Sequence, residues 1–259
     1  MLTYFSTNTV NAQSNESNTV KIKALTFNIL HGATTKGNFD LDVLAALIVK
    51  ASPDFVALQE VDNKTNRAKK LDLVTELALK TNMNGIFGRA MYFDEGEYGE
   101  GVLSKYSFIS TRTISLPHLP TSEPRAALEV TVALPSNDTI TFVGTHLDHL
   151  NADTDRVNQA AKLATTLKKN TYPTILAGDL NDVPESKTLT ILEIIFDRSF
   201  QNNQYDFTYS SSKPEKKIDY VMGRKKDNWK VIDSETICDT VASDHCAVLV
   251  TLELSSIKN

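Results

Sequence analysis

The sequence predicts an α/β protein in which two sheets pack face to face and helices cover their outer faces. Two observations indicate this fold class. Short apolar segments rich in β-forming residues outnumber segments with helical spacing, and the helical segments fall between strands in both halves of the chain. Helices that alternate with strands bury their apolar stripes against the faces of a sheet.

The first half of the chain supplies predicted strands and two helices. Residues 22–29 alternate and are rich in β-formers, which is typical of a strand. Asp40 can cap a helix that ends at Pro53. A buried strand at residues 55–58 then leads to Glu60. The rest of this half is a helix bearing Leu73, Val74 and Leu77, followed by antiparallel strands at residues 86–90, 101–103 and 109–116.

The second half continues the alternation. Residues 126–134 and 139–144 indicate a hairpin, because turn-forming residues separate them. Residues 155–167 carry apolar side chains at helical spacing. The remaining predicted elements are a buried strand at residues 174–177, a helix that begins at Pro184, and strands at residues 218–222 and 247–252.

The composition bounds the domain number and the class of function. Hydrophobic residues make up 41% and charged residues 23% of the 259 residues, which is a globular balance. No linker or repeat divides the chain after Val20, so we expect residues 20–259 to form a single domain. The net charge of -5 and the scattered lysines make a long nucleic-acid substrate less favoured. No apolar stretch reaches the ~20 residues that span a membrane.

The N-terminus and the two cysteines bear on localisation. Residues 1–19 are polar, and Val10-Asn11-Ala12 resembles a signal-peptidase site. We expect a disordered tail or the remnant of a signal peptide, which leaves export to the periplasm or the medium open beside a cytoplasmic location. Cys238 and Cys246 fit neither a disulfide framework nor a zinc site. They could pair in an exported protein, but two buried free thiols are our expectation.

Short polar clusters at the ends of apolar segments are the strongest functional signal. No P-loop, nucleophile elbow, dinucleotide fingerprint or zinc-spaced Cys/His set competes with them. The clusters are Phe27-Asn28-Ile29, Leu58-Gln59-Glu60, Gly144-Thr145-His146-Leu147-Asp148, Gly178-Asp179-Leu180-Asn181, Ile218-Asp219-Tyr220 and Ser243-Asp244-His245.

These residue types suit the hydrolysis of a phosphate ester beside a hard cation. Mg²⁺ and Mn²⁺ prefer oxygen ligands, which Glu60 and the amide of Asn28 can supply. Asp179 can orient or deprotonate water, and Asn181, two residues on along an extended segment, can donate to a phosphoryl oxygen.

Two imidazoles complete the set. Asp219 could hold the ring of His245 and raise its pKa. His146 supplies the second imidazole, and Asp244 supplies a further carboxylate beside His245.

In chain order, the clusters resemble those of the endonuclease/exonuclease/phosphatase superfamily, a group that includes DNases, inositol-polyphosphate phosphatases and neutral sphingomyelinases. The match runs from Val20 to about Leu254. The resemblance implies a four-layer, DNase I-like α/β sandwich, a divalent cation, Mg²⁺ or Mn²⁺, and in-line attack of water on a phosphate ester. It further implies metal-site residues Asn28, Glu60 and Asp244, a water-orienting Asp179, transition-state stabilisers Asn181 and His146, and a dyad of Asp219 and His245.

Other stretches are similar to a bacterial branch of that superfamily, described as metal-dependent hydrolases. We expect Arg67, Tyr98 and Arg125 as substrate-binding candidates. For the two arginines the alternative, which we favour, is a salt bridge within the fold. Glu100 would support His146, as an acidic residue does in the DNase branch.

The sequence therefore predicts a metal-dependent phosphoesterase that hydrolyses a small or lipid-linked phosphodiester. Two alternatives stay open: a nuclease acting on DNA or RNA, and a non-catalytic relative that binds phosphate groups. We expect a phosphate ester as the partner and a monomeric chain.

Overall fold

The structure is a computed structural model that describes residues 19–199 and 206–255. The signal-like Val10-Asn11-Ala12 site and all of the expected N-terminal tail except Thr19 lie outside the described residues. None of the described helices has both the length and the apolar character needed to cross a bilayer.

The predicted pair of sheets is confirmed, with six described strands in each and both strand directions present in each. Strands are numbered along the chain. The first sheet has the order β11-β12-β1-β2-β4-β3 and consists of β1 (Thr19–Asn28), β2 (Phe55–Asn63), β3 (Asn84–Phe93), β4 (Gly96–Ser104), β11 (Lys230–Ile237) and β12 (Ala247–Ser255). The second has the order β5-β6-β7-β8-β10-β9 and consists of β5 (Phe108–Ser115), β6 (Ala126–Ala133), β7 (Thr139–His146), β8 (Thr174–Asp179), β9 (Phe196–Arg198) and β10 (Asp219–Arg224).

Helices cover the outer face of each sheet and complete four layers. The helices are α1 (Leu41–Ala51), α2 (Leu73–Thr81), α3 (Thr154–Leu167) and α4 (Lys187–Leu192). The first two pack on the first sheet and the last two on the second, while a third apolar cluster fills the space between the sheets. The four-layer sandwich is therefore as predicted.

Local capping chemistry explains where the helices begin. Asp40 accepts hydrogen bonds from the backbone of the first turn of α1, as the sequence predicted. The predicted start of the last helix at Pro184 is wrong, because Ser186 caps α4 by accepting from the Leu189 amide. The strands β9 and β11 were not predicted. β11 is a mostly exposed edge strand, so it lacks the apolar alternation that marks a half-buried strand.

The expectation of two free thiols is wrong, because Cys238 and Cys246 form a disulfide. β11 ends at Ile237 and β12 begins at Ala247, and these two residues pair across the antiparallel ladder. The register brings the adjoining cysteines together, with the polar segment of residues 239–245 looped out between them. The spacing of the two cysteines left this pairing open, because it depends on the register of β11 against β12.

Strand register aligns three of the predicted site residues. In the parallel pair β7–β8, His146 is opposite Asp179, and in the antiparallel pair β8–β10, Asp179 is opposite Asp219. Gly178 permits the close approach of β7 and β8, because a Cβ atom there would lie 2.1 Å from the carbonyl oxygen of Thr145. The centre of the site is therefore set by the ladder of the second sheet.

Candidate active site

The predicted site residues converge on one cavity of about 660 Å³ at an end of the sandwich. This volume falls in the range of pockets that hold small ligands. Asn28, Glu100 and Asp219 are buried and do not line the cavity wall. The other nine do line it: Glu60, Arg67, Tyr98, Arg125, His146, Asp179, Asn181, Asp244 and His245.

Asp179 is the link between the two sheets. Its Oδ2 atom accepts a hydrogen bond of 3.3 Å from the amide of Asn28 on β1, and lies 3.5 Å from Nε2 of His146 and 3.7 Å from Nε2 of His245. Burial and the carboxylate of Asp219 together raise the pKa of Asp179. A carboxylate with a raised pKa at the centre of a cavity is suited to taking a proton from water near neutral pH.

Asp219 and His245 form the predicted dyad. Nδ1 of His245 lies 3.1 Å and 3.3 Å from the two carboxylate oxygens of Asp219, which is fully buried. Burial lowers the pKa of His245, but the charges of Asp219 and Asp179 outweigh it and raise that pKa to about 10. The imidazole is therefore charged at neutral pH and held with Nε2 towards Asp179. The ring of Tyr209 flanks it at 4.9 Å between centroids.

Glu60 reaches the cavity through a break in strand pairing. The register of β2 shifts between Leu58 and Val61, and Glu60 has a φ of 57°, a left-handed conformation that is costly for a residue with a side chain. Burial raises the pKa of Glu60, but hydrogen bonds from His31 and Asn28 and the nearby imidazoles outweigh it and lower that pKa to about 2. Glu60 is therefore an ionised carboxylate that faces the cavity.

The donor chemistry fits a hard divalent cation. Carboxylates from Glu60, Asp179 and Asp244 face one cavity, and the buried charge of Asp219 lies behind them. Burial and the charge of Asp219 raise the pKa of Asp179, and a nearby cation would offset both effects. The amide of Asn28 directs its nitrogen at Glu60 and Asp179 and its oxygen at the Leu30 amide, so it would have to reverse to offer oxygen beside Glu60.

A second group of side chains has the spacing of a metal site. Among the described residues, ligand atoms of Asp179, Asp219 and His245 all lie within 4.8 Å of one another. These three already form a hydrogen-bonded network in which one cationic imidazole faces two carboxylates. That pairing makes them less suited to a cation than Glu60.

His146 has a partner that the sequence did not predict. Its Nδ1 atom lies 2.8 Å from Nη1 of Arg125, and Nε2 lies 2.9 Å from the amide nitrogen of Asn181. Among the described residues, no hydrogen bond joins Glu100 to His146, so the structure does not bring together the pair expected from the resemblance. Burial lowers the pKa of His146 well below its ordinary value, and the charge of Arg125 lowers it further.

The backbone conformation at Asn181 differs from the extended one that we expected. The strand β8 ends at Asp179, and Asn181 has a φ of 51°, so the segment is not extended. The Asn181 amide also donates to the Leu147 carbonyl oxygen at 3.0 Å.

Arg67 forms the salt bridge that the sequence left as an alternative. Its Nε and Nη2 atoms donate to both oxygens of the buried Asp62, at 2.6 Å and 2.9 Å. Its guanidinium stacks 4.6 Å from the ring of Phe93 and 5.7 Å from that of Tyr98. Arg67 is therefore held in place and still lines the cavity.

Sequence reasoning missed several residues of the cavity wall. His31 faces Glu60, with Nδ1 at 3.5 Å from Oε2, and its φ of 46° is a second left-handed conformation at the site. The Leu30-His31-Gly32 segment after a predicted strand was a signal that could have found it. The other missed wall residues with polar side chains are Glu123, His149, Asn151, Arg156, Asp182, Tyr209 and Lys216.

Comparison with known proteins gives one sequence-level match and many structural ones. A model of the Endonuclease/Exonuclease/phosphatase family matches residues 25–245. A comparison with curated proteins finds no significant match. An endonuclease/exonuclease/phosphatase from Beutenbergia cavernae is 22% identical, with a TM-score of 0.74 over 91% of this chain and 72% of that one.

Two further solved structures share the fold. A Bacteroides thetaiotaomicron mannosyl-6-phosphatase is 16% identical, with a TM-score of 0.71 over 89% of this chain and 99% of that one. D. rerio TDP2, complexed with a single-strand DNA product, is also 16% identical, with a TM-score of 0.71 over 90% and 98%. Likeness at this identity establishes the fold alone.

Proposed function

The chain belongs to the endonuclease/exonuclease/phosphatase family, and from that premise we propose that it is a divalent-metal-dependent phosphoesterase that hydrolyses a small or lipid-linked phosphodiester by in-line attack of water. The observation that carries the proposal is the position of Asp179. It lies between His146 and the Asp219–His245 dyad, on the wall of a cavity that Glu60 also faces.

Each side chain has a part in this proposal. Asp179 accepts the proton of the attacking water, whose oxygen bonds to phosphorus while the ester oxygen leaves. His245, cationic and held by Asp219, donates a hydrogen bond or a proton to an oxygen of the reacting phosphate. Asn181 donates its amide N–H to a phosphoryl oxygen. Burial of these groups strengthens each contact, because a low dielectric screens charge poorly.

Glu60 would be the principal metal ligand, with Asn28 and Asp244 beside it. A bound Mg²⁺ or Mn²⁺ would supply Lewis-acid stabilisation of charge that develops on the phosphate. Glu60 is the best candidate because its carboxylate is ionised, faces the cavity and, among the described residues, forms no salt bridge with an arginine or a lysine.

The cavity supports a small substrate over a long nucleic acid. The net charge of -5 provides no electrostatic attraction for a polyanion, and acidic side chains stand among the basic ones of the wall. Met91, Phe93 and Leu150 add apolar surface to the cavity wall. A phosphate with an organic substituent matches this mixture of charged and apolar groups.

A substrate panel tests the proposal. The purified protein would be incubated with Mg²⁺ or Mn²⁺ and with phosphodiesters, phosphomonoesters, phospholipids, plasmid DNA and RNA, with chelator controls. We expect metal-dependent turnover of a small or lipid phosphodiester, and a loss of at least ~100-fold in Asp179→Ala and in His245→Ala. His118→Ala is the matched control, because His118 is exposed and does not line the cavity.

Other outcomes would redirect or reject the proposal. Preferential cleavage of DNA or RNA would replace it with the nuclease alternative, and preference for monoesters would make the protein a phosphatase. Turnover of nothing in the panel, with phosphate binding intact, would favour the non-catalytic alternative. Near wild-type activity in Asp179→Ala would reject the mechanism.

We also propose that the protein is exported. The support is the disulfide between Cys238 and Cys246, since disulfides persist mainly in oxidising compartments. Cell fractionation of the native host checks this: recovery of the chain in the cytosol with both thiols reduced would contradict it.

A further inference from the structure

Arg125 is a buried cation placed between two imidazoles. Arg125 and His146 are each only 3% exposed. Nη1 lies 2.8 Å from Nδ1 of His146, and Nη2 lies 3.1 Å from Nδ1 of His149. Glu123 lies 3.2 Å from the same Nη1 and provides a counter-charge. A buried charge of this kind is costly unless its contacts are specific.

The chemistry of arginine fixes the direction of the bond to His146. A guanidinium in a protein remains protonated and has donors only, so Nδ1 of His146 must supply the lone pair. A neutral imidazole has one lone-pair nitrogen and one N–H. His146 therefore carries its proton on Nε2.

The protonated nitrogen faces the centre of the site. Nε2 of His146 lies 2.9 Å from the amide nitrogen of Asn181 and 3.5 Å from Oδ2 of Asp179. Both the imidazole N–H and the amide N–H are donors, and among the described residues no acceptor is hydrogen-bonded to the imidazole N–H, since Oδ2 of Asp179 lies 3.5 Å from Nε2. Two donors that face each other repel, and the repulsion ends when an anionic oxygen accepts from both.

On the basis of the proposed function, we propose that Arg125 is a positioning residue that holds His146 as an Nε2–H tautomer, so that His146 and Asn181 together donate to one phosphoryl oxygen. His146 is then a neutral hydrogen-bond donor and not a cationic acid. The contacts of His146 agree with this, because among the described residues the partner of Nδ1 is the Arg125 guanidinium, which cannot accept a hydrogen bond from a second proton.

The fork of the guanidinium explains why arginine serves here. Its two terminal nitrogens donate separately to His146 and His149, and the single ammonium group of a lysine would be less suited to both contacts. Had Glu100 been the partner of His146, as the resemblance implied, its carboxylate would have favoured the Nδ1–H tautomer of His146, because a carboxylate can only accept. Glu100 is buried with Oε2 lacking a hydrogen bond in the described structure, and burial raises its pKa well above the ordinary value.

The tautomer can be measured without substrate or metal. Protein labelled with ¹⁵N at its five histidines gives separate signals for protonated and unprotonated ring nitrogens in a long-range ¹H–¹⁵N spectrum. The His146 signals are identified by their loss in His146→Gln. Near neutral pH we expect Nδ1 of His146 to be unprotonated and Nε2 protonated. A proton on Nδ1, or on both nitrogens, would overturn the proposal even if Arg125→Met does not fold.

Arg125→Met tests the cause, with Arg112→Met as the control. Arg112 is on the exposed strand β5 and pairs with Glu129 away from the cavity. Arg125→Met should give mixed tautomers at His146, whereas Arg112→Met should leave the signals unchanged. An unchanged His146 signature in folded Arg125→Met would refute the positioning role.

Kinetics separate positioning from substrate binding. If Arg125 acts through His146, Arg125→Met should lower kcat at least ~10-fold and change KM little, because the lost donor acts on the transition state. A raised KM with kcat and tautomer unchanged would mean that Arg125 binds substrate directly, and would overturn the proposal. Absence of any turnover would refute the proposed function and leave the spectroscopic result standing.

Discussion

Removal of the Cys238–Cys246 disulfide should destabilise the fold far more than it impairs chemistry. The bridge joins residues separated by 8 positions. The chain-entropy relation for a loop of this length gives about 2.5 kcal/mol of stabilisation, through restriction of the unfolded chain. For a chain of this size, that loss would lower Tm by roughly 5–10 °C.

Activity should survive because other contacts hold the same loop. The Ser243 hydroxyl donates to the Asn28 carbonyl oxygen at 2.7 Å, and the Ser211 hydroxyl donates to the Ser243 carbonyl oxygen at 2.6 Å. These bonds place Asp244 and His245 independently of the bridge. We expect kcat of the double variant to stay within ~3-fold of wild type where both are folded, a barrier change below about 1 kcal/mol.

The assay compares thermal and urea unfolding of Cys238→Ala/Cys246→Ala with that of the oxidised and the reduced wild type. Reduced wild type should resemble the double variant. The reasoning fails if neither reduction nor the double substitution lowers Tm, or if two free thiols titrate in the native, unreduced protein. A loss of activity larger than ~10-fold would mean that the bridge, and not Ser243, positions the loop.

Three further predictions concern charged groups. Asp219→Asn should bring the pKa of His245 down from about 10 and lower kcat by at least ~100-fold, as followed by NMR titration and steady-state kinetics. Activity should fall as the pH drops through the raised pKa of Asp179, because the protonated carboxyl cannot accept a proton from water. In a pH profile of kcat, this fall should occur at a pH above the ordinary pKa range of aspartate. Asp62→Ala should reduce the free energy of unfolding by about 1–3 kcal/mol, measured in urea, because it leaves Arg67 without its bidentate partner.

Each of these has a result that would contradict it. An unshifted His245 pKa in Asp219→Asn would remove Asp219 as its cause. A kcat profile that is flat down to the ordinary aspartate range would mean that Asp179 is not the base. Asp197→Ala is the control for Asp62→Ala: Asp197 is an exposed residue on β9, and its loss should stay within ~0.5 kcal/mol.

Local chemistry made much of the fold predictable. The cap at Asp40 and the buried strand before Glu60 depend on neighbouring residues, so the sequence reveals them directly. The polar clusters also lay where strands end, and the fold brings them to one cavity. The edge strand β11 was missed because its exposed residues do not alternate.

Contacts between distant segments could not be predicted in the same way. Arg125 directly precedes β6, and His146 is the last residue of β7. Only the register of β6 against β7 brings the two side chains together. The disulfide likewise follows from the pairing of β11 with β12. The left-handed backbone at His31 and Glu60 runs against local preference, and the surrounding fold must impose it.

The central claim is that Asp179 activates water for attack on a phosphate ester in this cavity. Its most direct test is hydrolysis of a phosphodiester by wild type and by folded Asp179→Asn, with Mg²⁺ or Mn²⁺ and with chelator, in ¹⁸O-labelled water. We expect metal-dependent incorporation of ¹⁸O into the phosphate-bearing product, reduced at least ~100-fold in Asp179→Asn. Equal rates in the two proteins, or product phosphate without label, would contradict the claim.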